Sequence, residues 1–303
     1  MHEDHISFSI QSLNVCMITL TEQLNQRGYY ADLKQLVERM YEQNGNTKVT
    51  IVVHSMGGPV SLYFLTSVVT QEWKDTYIDS YIPLAAAWNG GNGLLPFLLT
   101  GQLTNDPESL EMLLGVSDLR FLYRTYASHY FLLPRASVWN DTILVVTPAQ
   151  NYTANDYQQL FTDAGYPQGY TQFNSINIGV EFPAPNVSTY CFYGLGFPTP
   201  IKFIYGNDFP NARPTIINGD GDNDVNKEGL EVCLRWANGD YPFNRTVFQD
   251  IDHSAITFDK LVLQTIGSIV GAPVDPINGA PPLAILKLQY ILMLLFMIMF
   301  IVN

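Results

Sequence analysis

The sequence has few charged side chains, and acidic ones outnumber basic ones. Of its 303 residues 14% are charged, and 15 Lys+Arg against 28 Asp+Glu give a formal net charge of −13. Binding to nucleic-acid phosphates needs clustered Lys and Arg, and no basic stripe is present. Nucleic-acid binding is therefore excluded. The same charge predicts repulsion from anionic membranes, which weakens in an acidic compartment as carboxylates take up protons and histidines become charged.

Cysteine is scarce, and its spacing excludes the common metal patterns. Cys16, Cys191 and Cys233 match neither a CxxC pair nor a zinc-binding spacing. One disulfide and one free thiol is the simplest arrangement, and the spacing alone leaves the pairing open. Four N-glycosylation sequons favour the secretory route. They begin at Asn140, Asn151, Asn186 and Asn244.

The N-terminus lacks the features of a secretory signal peptide, whereas the C-terminus is strongly apolar. Residues 1–20 have no basic start, no uninterrupted apolar run and no small-residue cleavage site. From Leu283 to Val302 the chain is apolar apart from Lys287 and Gln289. As a helix this run would reach about 30 Å, roughly the thickness of the hydrocarbon layer. We expect residues 283–303 to be a membrane anchor or a removable lipid-anchor signal, with a buried core helix as the alternative.

The order of predicted elements is that of an α/β fold. Apolar side chains recur at helical spacing over 29–44, and Val49–Val53 is a β-branched run typical of a strand buried on both faces. A helix over Pro59–Val69 follows. Further strands are predicted at 77–87, 143–147, 201–205 and 246–248, and further helices at 227–237 and 258–270. A helical cap is predicted at about 92–140, a Gly/Asp-rich turn at 218–226, and a Pro/Gly linker at 271–282.

A serine lies at the turn between the first predicted strand and the helix after it. An ester hydrolase needs such a turn, because it exposes the hydroxyl and places the next backbone N–H beside the developing oxyanion. The segment Val53-His54-Ser55-Met56-Gly57 has this context, although the usual G-x-S-x-G pattern has glycine where this sequence has Val53. Ser55 is therefore the predicted nucleophile. The alternative is an ordinary serine at a helix N-cap.

Of the five histidines, His253 is the best placed to act as a general base. It follows a late predicted strand and precedes the last helix, as the chain order nucleophile, acid, base requires. His2 and His5 lie in the N-terminal segment, and His129 lies in the predicted cap. His54 adjoins the nucleophile and is expected to point away from it.

The acid should lie between these two residues, and the Gly/Asp-rich segment at 218–226 offers Asp220, Asp222 and Asp224. Alternating aspartates are also typical of calcium loops, but a loop starting at Asp220 has Val225 where the sharp turn needs glycine. A solvated turn is the other alternative. The residue pattern alone leaves the choice among the three carboxylates open.

These segments together resemble the lecithin–cholesterol acyltransferase and lysosomal phospholipase A family, and are most similar to its lysosomal phospholipase branch. The resemblance runs from about residue 29 to about residue 270, in the family's order. The matching stretches are YEQNGNTKVTIVVHSMGGPVSLYFL, LAAAWNGG, TPAQNYTANDYQQLFTDAGYPQG, CFYGLGFPTP, GDGDNDVNKEGLEVCLRW and DIDHSAITF.

The resemblance implies an α/β-hydrolase fold with a helical cap insertion, and a catalytic triad of Ser55, Asp222 and His253. The Met56 N–H would stabilise the oxyanion. The implied reaction is attack of Ser55 on a glycerophospholipid ester, followed by transfer of the acyl group to water or to a lipid alcohol such as a sterol or ceramide. No cofactor or metal is expected.

The resemblance also implies a disulfide between Cys191 and Cys233, and a place for Trp88 in the lining of the acyl site. The expected partner is a phospholipid membrane or a lipoprotein surface. The expected location is the secretory pathway, ending in the lysosomal lumen or the extracellular space, with the C-terminus as an anchor or an anchor signal.

The N-terminal part departs from the family pattern. Family members begin with a strand and a Pro-Gly-rich loop that supplies a second oxyanion donor, and neither is visible before residue 29. We therefore expect a fold without its N-terminal strands, in which residues 1–28 are a doubtful segment of a truncated or mispredicted start and residues 29–270 form the hydrolase domain. Val53, Asn89 and Asp224 are smaller departures. The alternative functions are a catalytically silent lipid-binding relative and a hydrolase of neutral lipids or small esters.

Overall fold

The computed structural model describes residues 28–102, 115–176, 182–271 and 291–294. The doubtful N-terminal segment, Cys16, all but the first residue of the linker and most of the apolar tail lie outside these residues. The strands are β1 Val49–His54, β2 Ile78–Leu84, β3 Val145–Val146, β4 Asn151–Tyr152, β5 Ser188–Leu195, β6 Phe197–Ile204, β7 Thr215–Gly221, β8 Phe243–Gln249 and β9 Ile291–Leu294.

The helices fall between the strands. They are α1 Tyr29–Gln43, α2 Gly57–Tyr63, α3 Gln71–Tyr77, α4 Leu94–Leu99, α5 Val116–Thr125, α6 Ala127–Phe131, α7 Ala136–Trp139, α8 Tyr157–Asp163, α9 Gln168–Ser175, α10 Lys227–Leu230 and α11 Lys260–Ile269. A π-helical segment, Phe64–Val68, extends α2, and a 3₁₀ segment, Glu231–Trp236, extends α10. A further 3₁₀ turn spans Ala255–Thr257.

A parallel sheet with the order β8-β5-β2-β1-β9 forms the centre of the fold. The first five residues of β1 are all buried, as expected for a β-branched strand with neighbours on both edges and cover on both faces. The parallel sheet confirms the predicted α/β class. Because the strands are parallel, their carboxyl ends share one edge, and the loops that follow β1, β2, β5 and β8 lie together there.

Strand β9 comes from the apolar C-terminal run. It pairs with β1 in parallel, from Thr50 opposite Ile291 to Val53 opposite Leu294. These four residues are the described part of the predicted anchor. In the described ranges, no helix combines the length and the apolarity that crossing a bilayer requires. The anchor itself stays a prediction.

A second, four-stranded sheet has the order β4-β3-β6-β7. It corrects the prediction of a turn over 218–226, since Asn218–Gly221 is the last part of β7 and pairs with β6 in antiparallel register. Only Asp222–Asn226 remains as a turn. Strand β5 was not predicted, and β3 is shorter than the predicted strand at 143–147.

The helices bury their apolar faces in one hydrophobic cluster. Leu33 and Val37 of α1 are buried positions that the helical spacing indicated, and α11 buries Val262 and Ile266. Helices α4 to α7 lie in the stretch predicted as a cap. Its role as a cap insertion stays a prediction.

Candidate active site

Ser55 occupies the turn between β1 and α2 and has a backbone φ of 55°. This left-handed conformation is rare for residues other than glycine, and it is held by the end of β2. The Ser55 N–H donates to the Leu84 carbonyl at 3.1 Å. The Ser55 carbonyl accepts from the N–H groups of Gly58 at 2.9 Å and Ala87 at 3.2 Å. The turn is therefore bonded on both sides and holds the serine at the carboxyl edge of the sheet.

Gly58 allows α2 to approach the end of β2. A Cβ added at this position would overlap the Ala86 side chain and lie 3.3 Å from the Trp88 ring. Glycine at position 58 therefore has a packing role, because a larger residue would not fit between α2 and the loop after β2. Val53, where the usual pattern has glycine, is only 1% exposed and packs into the core without displacing the turn.

His253 lies in the loop after β8 and faces Ser55. Its Nε2 is 2.8 Å from Ser55 Oγ, and its Nδ1 is 2.7 Å from Asp222 Oδ2. The His253 N–H also donates to the Asp222 carbonyl at 2.8 Å. His253 is 7% exposed and Asp222 is fully buried. The structure thus brings the three predicted residues, from three distant parts of the chain, into one hydrogen-bonded series.

Of the three candidate aspartates, Asp222 has its carboxylate hydrogen-bonded to the ring of His253. It follows β7 directly, and its second oxygen, Oδ1, accepts from the N–H groups of Val225 at 2.7 Å and Asp224 at 3.1 Å. Asp220 instead accepts a hydrogen bond from the N–H of Gly196, the residue between β5 and β6. Both carboxylate oxygens of Asp222 are therefore engaged within the protein. Among the residues that the structure describes, no cluster of His, Cys, Asp and Glu could hold a metal ion.

The environment of His253 favours a proton on its Nδ1. Burial alone would lower its pKa, but the charge of Asp222 and the hydrogen bond to it, with Asp224 and Asp252 nearby, raise the pKa above the ordinary value. A carboxylate oxygen can only accept, so Nδ1 carries the proton. In the neutral ring Nε2 is then free to accept the Ser55 hydroxyl proton, which is the arrangement that activates a serine.

Met56 places its N–H at the start of α2, next to the serine. The side chain is buried, and within the described ranges the Met56 N–H donates to no acceptor. A free backbone donor one residue after the serine is what an oxyanion contact requires. A second oxyanion donor would be expected from the N-terminal segment, which lies outside the described residues.

Trp88 is buried behind the nucleophile turn. Its ring packs edge-on against Trp236 at a centroid distance of 5.0 Å, and it lies close to Gly58. Neighbouring Asn89 is also buried and accepts from the Arg135 N–H at 2.8 Å. These contacts fix the loop after β2, and the role of Trp88 in an acyl site stays a prediction.

Cys191 of β5 and Cys233 of the 3₁₀ segment after α10 form a disulfide, with their Cα atoms 6.6 Å apart. The bridge links the central sheet to the segment just beyond Asp222. The asparagines of all four sequons are exposed: Asn140, Asn151, Asn186 and Asn244.

His54 is a site residue that was not predicted from the sequence. Its ring lies against that of His253 at a centroid distance of 4.7 Å, and its Nε2 is 2.8 Å from the His253 carbonyl oxygen. Adjacency to the nucleophile was the available signal, but a bond to a backbone carbonyl almost two hundred positions away has no sequence pattern.

Comparison with known proteins gives relatives over most of the chain. The profile of the lecithin:cholesterol acyltransferase family matches residues 20–182 and 169–265. Phosphatidylcholine-sterol acyltransferase of Gallus gallus is 35% identical over 242 residues, which are 78% of this chain and 57% of that protein. Lysosomal phospholipase A and acyltransferase of Rattus norvegicus is 37% identical over 215 residues, 70% of this chain and 50% of that protein. Phosphatidylcholine-sterol acyltransferase of Homo sapiens is 32% identical over 267 residues, which are 85% of this chain and 59% of that protein.

The parallel sheet, and a serine at a strand–helix turn with an aspartate and a histidine in later loops, define an α/β-hydrolase fold. The chain belongs to the lecithin:cholesterol acyltransferase family, which confirms the resemblance of its motifs. Relatives named for the sterol acyltransferase and for the lysosomal phospholipase match at similar identity. The chain spans about half to three-fifths of the length of these curated relatives.

Proposed function

We propose that the protein is a serine acyl hydrolase and O-acyltransferase that acts on glycerophospholipid esters. The observation that carries this proposal is the hydrogen-bonded series from Asp222 through His253 to Ser55. A buried carboxylate, an imidazole and a hydroxyl at these distances make a nucleophile out of a serine that is otherwise unreactive.

In the first half-reaction Ser55 Oγ attacks the ester carbonyl carbon while His253 Nε2 takes the hydroxyl proton. Asp222 holds the ring in orientation and stabilises the imidazolium that forms. The tetrahedral oxyanion accepts from the Met56 N–H, a contact of the kind worth about 3 kcal/mol of transition-state stabilisation. When the intermediate collapses, the carbon–oxygen bond to the glycerol breaks and the leaving alkoxide takes the proton from His253. The products are a lysophospholipid and an acyl-Ser55 ester.

In the second half-reaction an acceptor hydroxyl attacks the acyl-enzyme. His253 takes the acceptor's proton and returns it to Ser55 Oγ as the ester bond breaks. Water as acceptor gives a free fatty acid, and a lipid alcohol such as a sterol or ceramide gives a new ester. The names of the relatives, a sterol acyltransferase and a phospholipase A with acyltransferase activity, support both outcomes.

The compartment we propose is the secretory pathway, ending in the lysosomal lumen or outside the cell. The Cys191–Cys233 disulfide supports an oxidising compartment, because cytosolic proteins rarely keep such bonds. Exposure of all four sequon asparagines also supports passage through this route. The proposed working partner is a phospholipid membrane or a lipoprotein surface, where the substrate resides.

A fluorescent fluorophosphonate tests the nucleophile directly. The full chain should become labelled, because Ser55 Oγ displaces fluoride from phosphorus with His253 as base. Ser55→Ala should lose the label. The matched control is Ser67→Ala, which replaces an exposed serine of the π-helical segment that extends α2. This variant should label like the wild type. A wild-type chain that is folded and unlabelled would identify the catalytically silent relative instead.

A second measurement separates the substrate classes. Release of fatty acid from phosphatidylcholine vesicles, with and without sterol or ceramide, is compared with hydrolysis of a soluble short-chain ester. We expect turnover to rise sharply when vesicles are supplied. Equal turnover of the soluble ester in the absence of any phospholipid surface would replace the proposal with a small-ester hydrolase.

A further inference from the structure

His54 is held in a fixed place between the central sheet and the loop of His253. It is the last residue of β1, in register with Leu84 of β2, so its backbone belongs to the sheet. Its side chain leaves the sheet edge and reaches the carbonyl oxygen of His253 at 2.8 Å. A carbonyl oxygen only accepts, so His54 Nε2 carries the proton and donates it.

The main chain of His253 is thereby bonded on both sides. Its N–H donates to the Asp222 carbonyl, and its carbonyl accepts from His54. One partner is the residue that orients the imidazole. The other is the residue directly before Ser55. A bond from His54 to His253 therefore sets the distance between the turn that carries the hydroxyl and the loop that carries the base.

We propose that His54 is a positioning residue, whose Nε2–H bond to the His253 carbonyl keeps the imidazole within transfer distance of Ser55 Oγ. This inference rests on the proposed function and deepens it. His54 does not touch the reacting atoms. It acts through His253, and its removal should slow proton transfer more than it weakens substrate binding.

The surroundings of His54 keep its ring neutral. Burial lowers its pKa first, and the positive charge of His253 lowers it further, while the bond to the His253 carbonyl and the charge of Asp222 partly oppose this. The resulting pKa is about 4. His253 and Asp222 are the charged groups that face the ring. A neutral ring can donate to the carbonyl without adding a second positive charge beside the imidazolium that forms during turnover.

Two substitutions separate hydrogen bonding from packing. His54→Gln keeps an N–H donor near the place of Nε2, and His54→Phe keeps the flat ring without a donor. We expect kcat of the Phe variant to fall about 100-fold with little change in KM, since misplacing a catalytic group by about 1 Å has this effect. The Gln variant should recover most of that loss. Fluorophosphonate labelling of Ser55 should be slowest in the Phe variant, faster in the Gln variant and fastest in the wild type.

His129 supplies the matched control. It also lies half-buried among aromatic rings, and its Nδ1 lies 2.9 Å from a backbone carbonyl, that of Tyr123. His129→Phe also removes a bond between an imidazole and a backbone carbonyl, but at a place away from Ser55, Asp222 and His253. It should lower the melting temperature and leave kcat of the folded fraction close to that of the wild type.

The outcomes distinguish this inference from the proposed function. If the wild type labels at Ser55 and His54→Phe keeps the wild-type kcat, the inference is wrong while the function stands. Equal damage in the Phe and Gln variants would likewise overturn it, because a retained N–H donor would then restore no activity. If His54→Phe fails to fold, His54→Asn replaces it, since its shorter amide does not reach the carbonyl. No labelling of the folded wild type would remove the function itself.

Discussion

The backbone of Ser55 is strained, with a φ of 55° at a residue that has a side chain. A left-handed conformation costs a non-glycine residue about 1–2 kcal/mol, and such strain is found where a side chain must be presented for chemistry. The hydrogen bonds of Ser55 to Leu84, Gly58 and Ala87 hold the turn in this conformation. The turn therefore sacrifices some stability to place the Ser55 hydroxyl against His253.

A pair of substitutions measures that strain. Ser55→Ala keeps a Cβ and the strain, whereas Ser55→Gly relieves it, and both lack the hydroxyl. We expect the Gly variant to be more stable than the Ala variant by about 1 kcal/mol. Chemical denaturation of both variants, neither of which should label with fluorophosphonate, gives the difference. An Ala variant at least as stable as the Gly variant would show that the turn is unstrained.

The half-buried His54 predicts a stability that depends on pH. Its pKa is lowered from an ordinary value of about 6.5 to about 4 in the folded chain, so folding favours its neutral form. Its contribution is complete above the unfolded value and is lost as pH falls from about 6.5 towards 4. The raised pKa of His253 keeps that residue protonated in the folded chain, so its own effect on stability falls mainly at and above pH 6.5 and is shared by the variant used below.

The expected size is about 3 kcal/mol between pH 6.5 and 4, by the linkage of protonation to folding. Denaturation curves of the wild type and His54→Gln at several pH values measure it. The variant should lose less stability than the wild type on acidification. Parallel curves for the two proteins would contradict the burial of a neutral ring.

Among the elements, the disulfide joins β5 to the 3₁₀ segment after α10 across a separation of 42 residues. Closing a loop of this size typically stabilises a domain by about 2–4 kcal/mol, mainly by restricting the unfolded chain. Because Cys233 follows Asp222 closely in the chain, the bridge also ties the acid loop to the sheet. Its loss should therefore affect both stability and activity.

The double variant Cys191→Ala/Cys233→Ala should unfold with a free energy about 2–4 kcal/mol lower than that of the wild type. Reductant should destabilise the wild type to a similar degree and leave the double variant unchanged, which makes reductant the control. If reductant destabilised both proteins equally, the effect would not come from this bridge.

How well a strand could be predicted from the sequence depended on its composition. The β-branched run of β1 is predicted correctly, because burial on both faces leaves a continuous apolar pattern. Strand β5 was missed, since polar and aromatic residues and Gly194 interrupt any such run. The second half of β7 was predicted as a turn, because Gly and Asp are typical of turns, and only its pairing with β6 makes it a strand.

The site shows the same limit. The order of Ser55, Asp222 and His253 in the chain pointed to residues that the fold brings together. The bond from His54 to a distant carbonyl could not be predicted, because it depends on the position of a loop relative to the sheet and on no local pattern. The Met56 N–H, in contrast, was predicted as an oxyanion donor, because it belongs to the residue that follows the nucleophile.

At the scale of the whole molecule, β9 completes the edge of the sheet next to the nucleophile strand. An uncovered edge presents unpaired N–H and C=O groups, which favour association with other chains. The pairing with Ile291–Leu294 satisfies those groups along β1. Support for Ser55 then depends in part on a segment far along the chain.

A chain ending at Gly271 tests this dependence. We expect it to have a lower melting temperature, a greater tendency to aggregate and slower labelling of Ser55 than the full chain. A chain carrying Leu292→Pro should behave in the same way, because proline cannot supply a strand N–H. Full stability and full labelling in both variants would show that the apolar run has no part in the sheet.

Membership in the sheet also limits what the apolar run can do elsewhere. With Ile291–Leu294 beside β1, eight residues of the run remain on each side, at 283–290 and 295–302. Eight helical residues reach about 12 Å, well short of a hydrocarbon layer of about 30 Å. Ile291–Leu294 therefore cannot belong to a bilayer-spanning helix while they remain paired with β1.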